Sequence, residues 1–200
     1  MLKSFHTEGL VEAGCDEAGR GCIAGPVFAA AVILPANFAN PVLDDSKKLS
    51  ARKRQELRPV IEQEALAWGV GIVNEKEIDQ INILNASFLA MHRALDQLQR
   101  TPAHLLIDGN RFNPYGDISH SCIVKGDGIF ASIAAASILA KTHRDEFMEM
   151  LHSEYPEYGW NRNRGYPTRA HRKAVLDHGP TTYHRRSFRL LDDQTRFDFS

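Results

Sequence analysis

The chain has 200 residues, 43% hydrophobic and 24% charged, with 24 Lys and Arg against 25 Asp and Glu. An ordinary apolar fraction and a net charge of -1 exclude a disordered chain and allow one domain with a true core. The cysteines Cys15, Cys22 and Cys122 form no CxxC pair, which excludes a disulfide framework or zinc knuckle and favours a reducing compartment.

The N-terminus, Met1 to His6, lacks the apolar run of a secretory signal, so a cytoplasmic protein is expected. Leu10 to Asp16 and Val27 to Leu34 are apolar runs of strand length separated by a turn rich in glycine (Gly19, Gly21, Gly25), which predicts a hairpin. The longest apolar stretch, Cys22 to Ala36, is interrupted by Gly25-Pro26 and falls short of the roughly 17–25 residues a spanning helix needs. No membrane partner is expected.

Ser50 is a candidate N-cap for a basic helix reaching about Ala65, and Leu66 to Val73 predicts a third strand. Glu75 to Leu98 places Ile78, Ile81, Leu84, Phe88, Met91, Leu95 and Leu98 at helical spacings, with a break expected near Asn82. His104 to Ile107 and Ile118 to Val124 predict two short strands, the first ending at Asp108, the second leading into Lys125-Gly126-Asp127-Gly128. Ile129 to Leu151 is the longest helix, and its many alanines and serines suit close packing on a sheet. Thr168 to His178 predicts a last short helix stopped by Gly179-Pro180. A hairpin followed by alternating helices and strands argues for an α/β class with a mixed sheet.

Charge is unevenly spread. Between Tyr158 and Arg189 stand Arg162, Arg164, Arg169, Arg172, Lys173, Arg185, Arg186 and Arg189 against Asp177 alone. An acidic body with one basic flank suits a polyanionic partner, because Lys and Arg gain affinity by displacing counterions from phosphates. His171, His178 and His184 lie in the same flank without zinc-ligand spacing and are expected on the surface.

Four acids stand out. Asp16 and Glu17 end an apolar strand, Asp108 ends another, and Asp127 sits between two glycines ahead of the long helix. An unpaired buried charge is costly, so such placements need a reason. If the segments are neighbours in one sheet, the carboxylates converge on a rim where a hard divalent cation, Mg²⁺ or Mn²⁺, would relieve their repulsion. Such a site suits phosphodiester hydrolysis. Alternation sends Asp16 and Glu17 to opposite faces of a regular strand, so either the pleat breaks at Ala18-Gly19 or Glu17 contributes otherwise, for instance through its carbonyl. Singly, Asp127 reads equally as a helix N-cap and Asp108-Gly109 as a plain turn.

Taken together, Asp16-Glu17-Ala18-Gly19-Arg20-Gly21, Gly25-Pro26-Val27, Asp45-Ser46-Lys47-Lys48-Leu49, Ile107-Asp108-Gly109, Lys125-Gly126-Asp127, Ser137-Ile138-Leu139-Ala140-Lys141 and Gly165-Tyr166-Pro167-Thr168 resemble the type 2 ribonuclease H family, bacterial ribonuclease HII in particular. The strings occur in order over most of the chain. The one departure of note, Cys15 where small or β-branched residues are usual, suits a buried strand.

The resemblance implies a ribonuclease H-like fold, with a five-stranded mixed sheet flanked by helices and a C-terminal helical element. Residues 1–200 would form one catalytic domain, with about 155–200 as a basic substrate-binding extension. The implied activity is metal-dependent endonucleolytic hydrolysis of RNA in RNA–DNA hybrids, including incision 5′ of a single ribonucleotide in duplex DNA, leaving a 3′-hydroxyl and a 5′-phosphate. Asp16, Glu17, Asp108 and Asp127 would be the catalytic and metal-binding acids for Mn²⁺ or Mg²⁺, Asp127 assisting a second cation. Gly19-Arg20-Gly21 with Tyr166 would recognise the ribonucleotide-to-deoxyribonucleotide junction. Glycines let backbone groups approach the 2′-hydroxyl, Arg20 can clamp a phosphate, and the Tyr166 ring can stack on the following deoxyribose. Ser46, Lys47 and Lys48 fall in a motif lying along the hybrid, which implies phosphate contact; the residues alone read equally as an exposed turn.

Gln194 to Phe199 resembles peptides that dock on sliding clamps, which adds a clamp as a partner. With no heptad seam or long apolar strip, a monomer is expected. Two rival functions stay open at this level: a non-catalytic hybrid-binding module, and a nuclease of the same fold acting on DNA alone.

Overall fold

The computed structural model describes residues 2–43 and 48–191. Five strands, β1 (Glu12–Ala18), β2 (Val27–Ile33), β3 (Ala67–Val73), β4 (His104–Asp108) and β5 (Ser119–Ile123), form one sheet in the order β3-β2-β1-β4-β5. The hairpin pairs β1 with β2 antiparallel, and β3 adds antiparallel to β2. On the other side β4 runs parallel to β1, and β5 parallel to β4. The mixed five-stranded sheet is the one expected.

Helices α2 (Glu75–Leu95) on one face and α1 (Ala51–Glu64) and α3 (Ala131–Glu154) on the other cover it, while the short α4 (Trp160–Asn163) and α5 (Arg169–His178) follow α3. Their starts follow local chemistry. The Ser50 side chain accepts from the Lys53 N–H, Asn74 and Glu77 form a reciprocal capping box, and Thr168 accepts from the His171 N–H. The break expected near Asn82 is present: that residue has φ 65° inside α2, and its side chain re-caps the second half through the Leu84 and Asn85 N–H groups. Among the described residues no helix is long and apolar enough to cross a membrane.

The sheet separates two cores by the period of two along its strands. Val27, Ala29, Ala31 and Ile33 of β2, with Ala13 and Cys15 of β1, pack against α2. Ala30 and Val32 face the opposite way, against α1 and the alanine-rich start of α3. The small residues of α3 bring it almost into the sheet. A Cβ on Gly14 would stand 2.2 Å from the Ser132 carbonyl carbon, so β1 needs a glycine where α3 crosses it. A third core joins Met148 and Leu151 of α3 to Ile23, Tyr158, Trp160, Val175 and Leu190. The basic C-terminal element is therefore seated on the end of α3 and on the turn that follows β1.

Two expectations need correction. His171 and His184 are buried, His184 with 1% of its surface exposed; only His178 of the three is at the surface. Their rings pack among Tyr158 and Trp160, a neighbourhood that arises from chain folding and not from the spacing of the histidines. The alternative of Asp127 as an N-cap also falls away: α3 starts after Phe130, and Asp127 lies in a single 3-10 turn, Gly126–Gly128.

Candidate active site

Because β1 and β4 run parallel, their carboxyl ends reach the same rim of the sheet. The register pairs Cys15 with Ile107, so the next residues along, Asp16 and Asp108, emerge side by side. Both line a cleft of about 210 Å³ together with Glu17, Ala18, Gly19, Arg20, Gly21, Ser137, Lys141 and Tyr166. Seven of the residues expected at the site thus meet in one place, drawn from β1, its following turn, β4 and the segment before α5.

Asp16 is 3% exposed. Burial pushes its carboxyl well above the usual carboxylate range, and repulsion from Glu17 and Asp108 adds to the shift, against hydrogen bonds from the Ser137 side chain and the Glu17 backbone. The Glu17 N–H donates to Asp16 Oδ1 at 2.7 Å. The pleat stays regular through Ala18, with Glu17 opposite Ala29 and Ala18 opposite Phe28. Glu17 nevertheless lines the cleft with Asp16, because β4 has already ended and leaves that edge of β1 open. Its Oε1 is held by Arg20 Nη1 at 3.0 Å.

Asp108 is tied down from the next turn: its Oδ1 accepts from the Gly126 N–H at 2.7 Å. That bond holds the Gly126–Gly128 turn against the end of β4. Asp127, in that turn, is 2% exposed and is not among the residues lining the cleft. Lys48 approaches the same turn, its Nζ 4.0 Å from where a Cβ on Gly128 would stand. Ser46 and Lys47, like the segment 194–199, lie outside the described residues.

The donor set facing the cleft is carboxylate oxygen, which suits a hard divalent cation. Among the described residues no group of three or more His, Cys, Asp or Glu is gathered closely enough to hold a metal ion. The Glu17–Arg20 pair explains part of this: the second acid of β1 is drawn toward a guanidinium.

The opposite wall carries Tyr166, 43% exposed, with its ring beside the Gly19-Arg20-Gly21 turn; a Cβ on Gly21 would lie 3.8 Å from Tyr166 Cε1. The Tyr166 N–H donates to the Asn163 carbonyl at 2.8 Å. Gly19, at φ +99°, backs onto Arg144, and a Cβ there would stand 2.1 Å from Nε. Arg144 is 1% exposed and donates to the carbonyls of Pro26, Ala24 and Arg164 at 3.0, 3.1 and 2.7 Å.

Two cleft residues went unassigned in the sequence, Ser137 and Lys141. They stand four apart on α3 in a run of alanine and isoleucine, which puts both on one helix face. A polar pair at that spacing in the alanine- and isoleucine-rich first half of the helix was the available signal. Lys141 is half buried, its pKa lowered by that burial against the ion pair with Asp145.

A family model described as Ribonuclease HII matches residues 13–191. The Ribonuclease HII of Bacteroides thetaiotaomicron is 64% identical over 193 residues, 96% of either chain. Among solved structures, ribonuclease H2 from Pyrococcus horikoshii superposes with a TM-score of 0.73 at 25% identity, over 90% of this chain and 94% of that one. The RNase HII in a PCNA:RNase HII complex from Archaeoglobus fulgidus shares the fold, with a TM-score of 0.75 at 24% identity over 93% of this chain and 98% of that one.

Proposed function

The chain belongs to the ribonuclease HII family and is an endonuclease acting on RNA–DNA hybrids, and on that footing we propose that it incises duplex DNA 5′ of a single embedded ribonucleotide, leaving a 3′-hydroxyl and a 5′-phosphate. The observation that carries this reading is the shared cleft: two acids far apart in the chain, Asp16 and Asp108, face the same space as Gly19-Arg20-Gly21 and Tyr166. Acid chemistry and ribose recognition are within reach of one nucleotide.

Asp16, Glu17 and Asp108 would hold Mg²⁺ or Mn²⁺, with Asp127 assisting a second ion, and a bound cation would supply Lewis-acid stabilisation of the charge on the phosphoryl group. The fit rests on Asp16, a buried acid crowded by two others, whose ionised form a cation would stabilise. Glu17 would exchange its pairing with Arg20 for that ion, releasing the guanidinium to a phosphate. Lys141 would add positive charge beside the scissile group from the α3 wall.

The backbone of the Gly19-Arg20-Gly21 turn would read the 2′-hydroxyl, which both donates and accepts hydrogen bonds. The Tyr166 ring would pack on the next sugar and disfavour a hydroxyl there. Lys48, with Ser46 and Lys47, would contact phosphates along the duplex, and the element from about residue 155 would contribute its arginines to the same task. The protein would work as a monomer in the cytoplasm, with residues 194–199 available to a sliding clamp.

The deciding assay compares a duplex carrying one ribonucleotide with an all-DNA duplex of the same sequence, with Mg²⁺ or Mn²⁺ and with chelator. Nicking of the first alone, lost with chelator, is the expected result. Equal cutting of both would overturn the reading in favour of a nuclease indifferent to the sugar.

A further inference from the structure

Three backbone segments are laced together behind the ribose-sensing wall. The Ile23 N–H donates to the Gly165 carbonyl at 2.9 Å, the Gly25 N–H to Tyr183 at 2.9 Å, and the Arg185 N–H to Ile23 at 2.9 Å. Ala24 and His184 form an antiparallel bridge between two of them. The turn after β1, the segment carrying Tyr166 and a C-terminal stretch around 181–188 therefore share one hydrogen-bonded seam.

From that C-terminal stretch two adjacent, fully buried side chains diverge. Arg185 reaches the glycine turn. Its Nη1 donates to the Arg20 carbonyl at 3.0 Å, while Nε and Nη2 both donate to the Gly25 carbonyl at 2.9 and 2.8 Å. The planar fork spans the turn from its second residue to its seventh, which a single ammonium could not do.

His184 runs the other way, through a second histidine. The Thr181 N–H, a group that can only donate, points at His184 Nδ1 at 2.9 Å. The neutral ring then carries its proton on Nε2, which lies 3.2 Å from Nε2 of His171. That same His171 atom receives the indole N–H of Trp160 at 2.9 Å, and indole nitrogen also only donates. His171 Nε2 is thereby the acceptor, and its proton stands on Nδ1, 2.9 Å from the Tyr166 carbonyl. Two donor-only groups, the Thr181 N–H and the Trp160 indole, thus fix both tautomers, and the single lone pair of His171 Nε2 is shared between the indole N–H at 2.9 Å and the longer contact from His184 at 3.2 Å.

We propose that His171, His184 and Arg185 are positioning residues for ribonucleotide selectivity: the histidine pair sets Tyr166, Arg185 sets the Gly19-Arg20-Gly21 turn, and one C-terminal segment thus fixes the gap between them. The proposal rests on the junction-sensing role given above to Tyr166 and that turn. None of the three lines the cleft. Their effect is geometric, and a misplacement of about 1 Å can cost about 100-fold in rate.

The test has a kinetic and a spectroscopic arm on the full chain. His171→Ala and Arg185→Lys should lower kcat/KM on the single-ribonucleotide duplex by about 10- to 100-fold, chiefly in kcat. For His171→Ala a hybrid with a continuous RNA tract, which offers Tyr166 no deoxyribose, should change less than about threefold, whereas Arg185→Lys should lower cleavage of both substrates, because the turn it sets meets a 2′-hydroxyl in either. His171→Asn keeps a short N–H near the position of Nδ1 and should recover part of the lost selectivity. Long-range proton–nitrogen NMR of the wild type should find the His171 proton on Nδ1 and the His184 proton on Nε2, a readout that does not depend on whether a variant folds.

Equal losses on both substrates in His171→Ala, an Arg185→Lys enzyme unchanged on both, or the opposite tautomers would overturn the proposal. A wild-type enzyme with no preference for the single ribonucleotide would remove the functional reading itself, and the proposal with it. That outcome is visible before any variant is made.

Discussion

The two walls of the cleft are built on different principles. The acid wall is made of strand ends: parallel pairing of β1 and β4 sets Asp16 beside Asp108 through the backbone ladder, and α3 lies against them over Gly14. The wall proposed to sense the ribose is made of turns, and buried polar side chains take the place of a ladder. Arg144, Arg185, His171 and His184 bind carbonyls or one another, with Glu75 facing both arginines as a buried counter-charge whose own carboxyl is pushed up by burial. A wall held by a sheet tolerates loss of a side chain's charge. A wall held by buried polar groups does not, because each partner left behind is an unpaired buried group.

The largest expected effect tests the acid wall. Asp108→Asn keeps an oxygen for the Gly126 N–H, so the fold should survive, while cleavage in a gel assay should fall on the order of 10³-fold or more. Hybrid binding, measured by fluorescence anisotropy, should stay within about threefold. Retained cleavage would remove Asp108 from the site.

Next comes the sensing wall. Gly19→Ala combines a disfavoured φ with a clash against a guanidinium fixed by three carbonyls, and should cost about 2–4 kcal/mol in denaturant unfolding. A neutral result would mean that Arg144 can move, and the contrast between the walls would weaken.

A pH effect follows at somewhat smaller size. Burial, then the neighbouring His171, brings His184 down to about 3 from its usual 6.5. A histidine depressed in the folded state takes up its proton preferentially when unfolded, so its contribution is fully present above pH 6.5 and is lost as the pH falls toward 3. Roughly 2–3 kcal/mol should go between pH 6.5 and pH 4, and His184→Gln should flatten that part of the unfolding profile. An unchanged profile in the variant would mean that the acid lability lies elsewhere. The smallest effect is on the outer face of α5, where Asp177→Ala breaks an exposed pair with Lys173 and should change stability by less than about 0.5 kcal/mol, with cleavage unaltered.

The elements whose causes are local could be read in advance. Ser50 and Thr168 as caps, the break at Asn82 and the hairpin around Gly19–Gly25 each depend on chemistry within a few neighbouring residues. The acids were visible for a related reason: a carboxylate at the end of an apolar strand contradicts its own surroundings. Burial of His171 and His184 was not visible, since nothing adjacent to either residue announces Trp160 or the Tyr166 carbonyl as its partner.

The order of residues was enough to specify strands, caps and the identity of the acids, because those follow from side-chain type and spacing along one segment. Which face Glu17 would serve, that Ser137 and Lys141 would enter the cleft, and that two histidines would stand in a row beneath a tyrosine depended on how distant segments came to lie together. Hydrogen bonding and burial act through space, and their partners are chosen only once the chain has closed on itself.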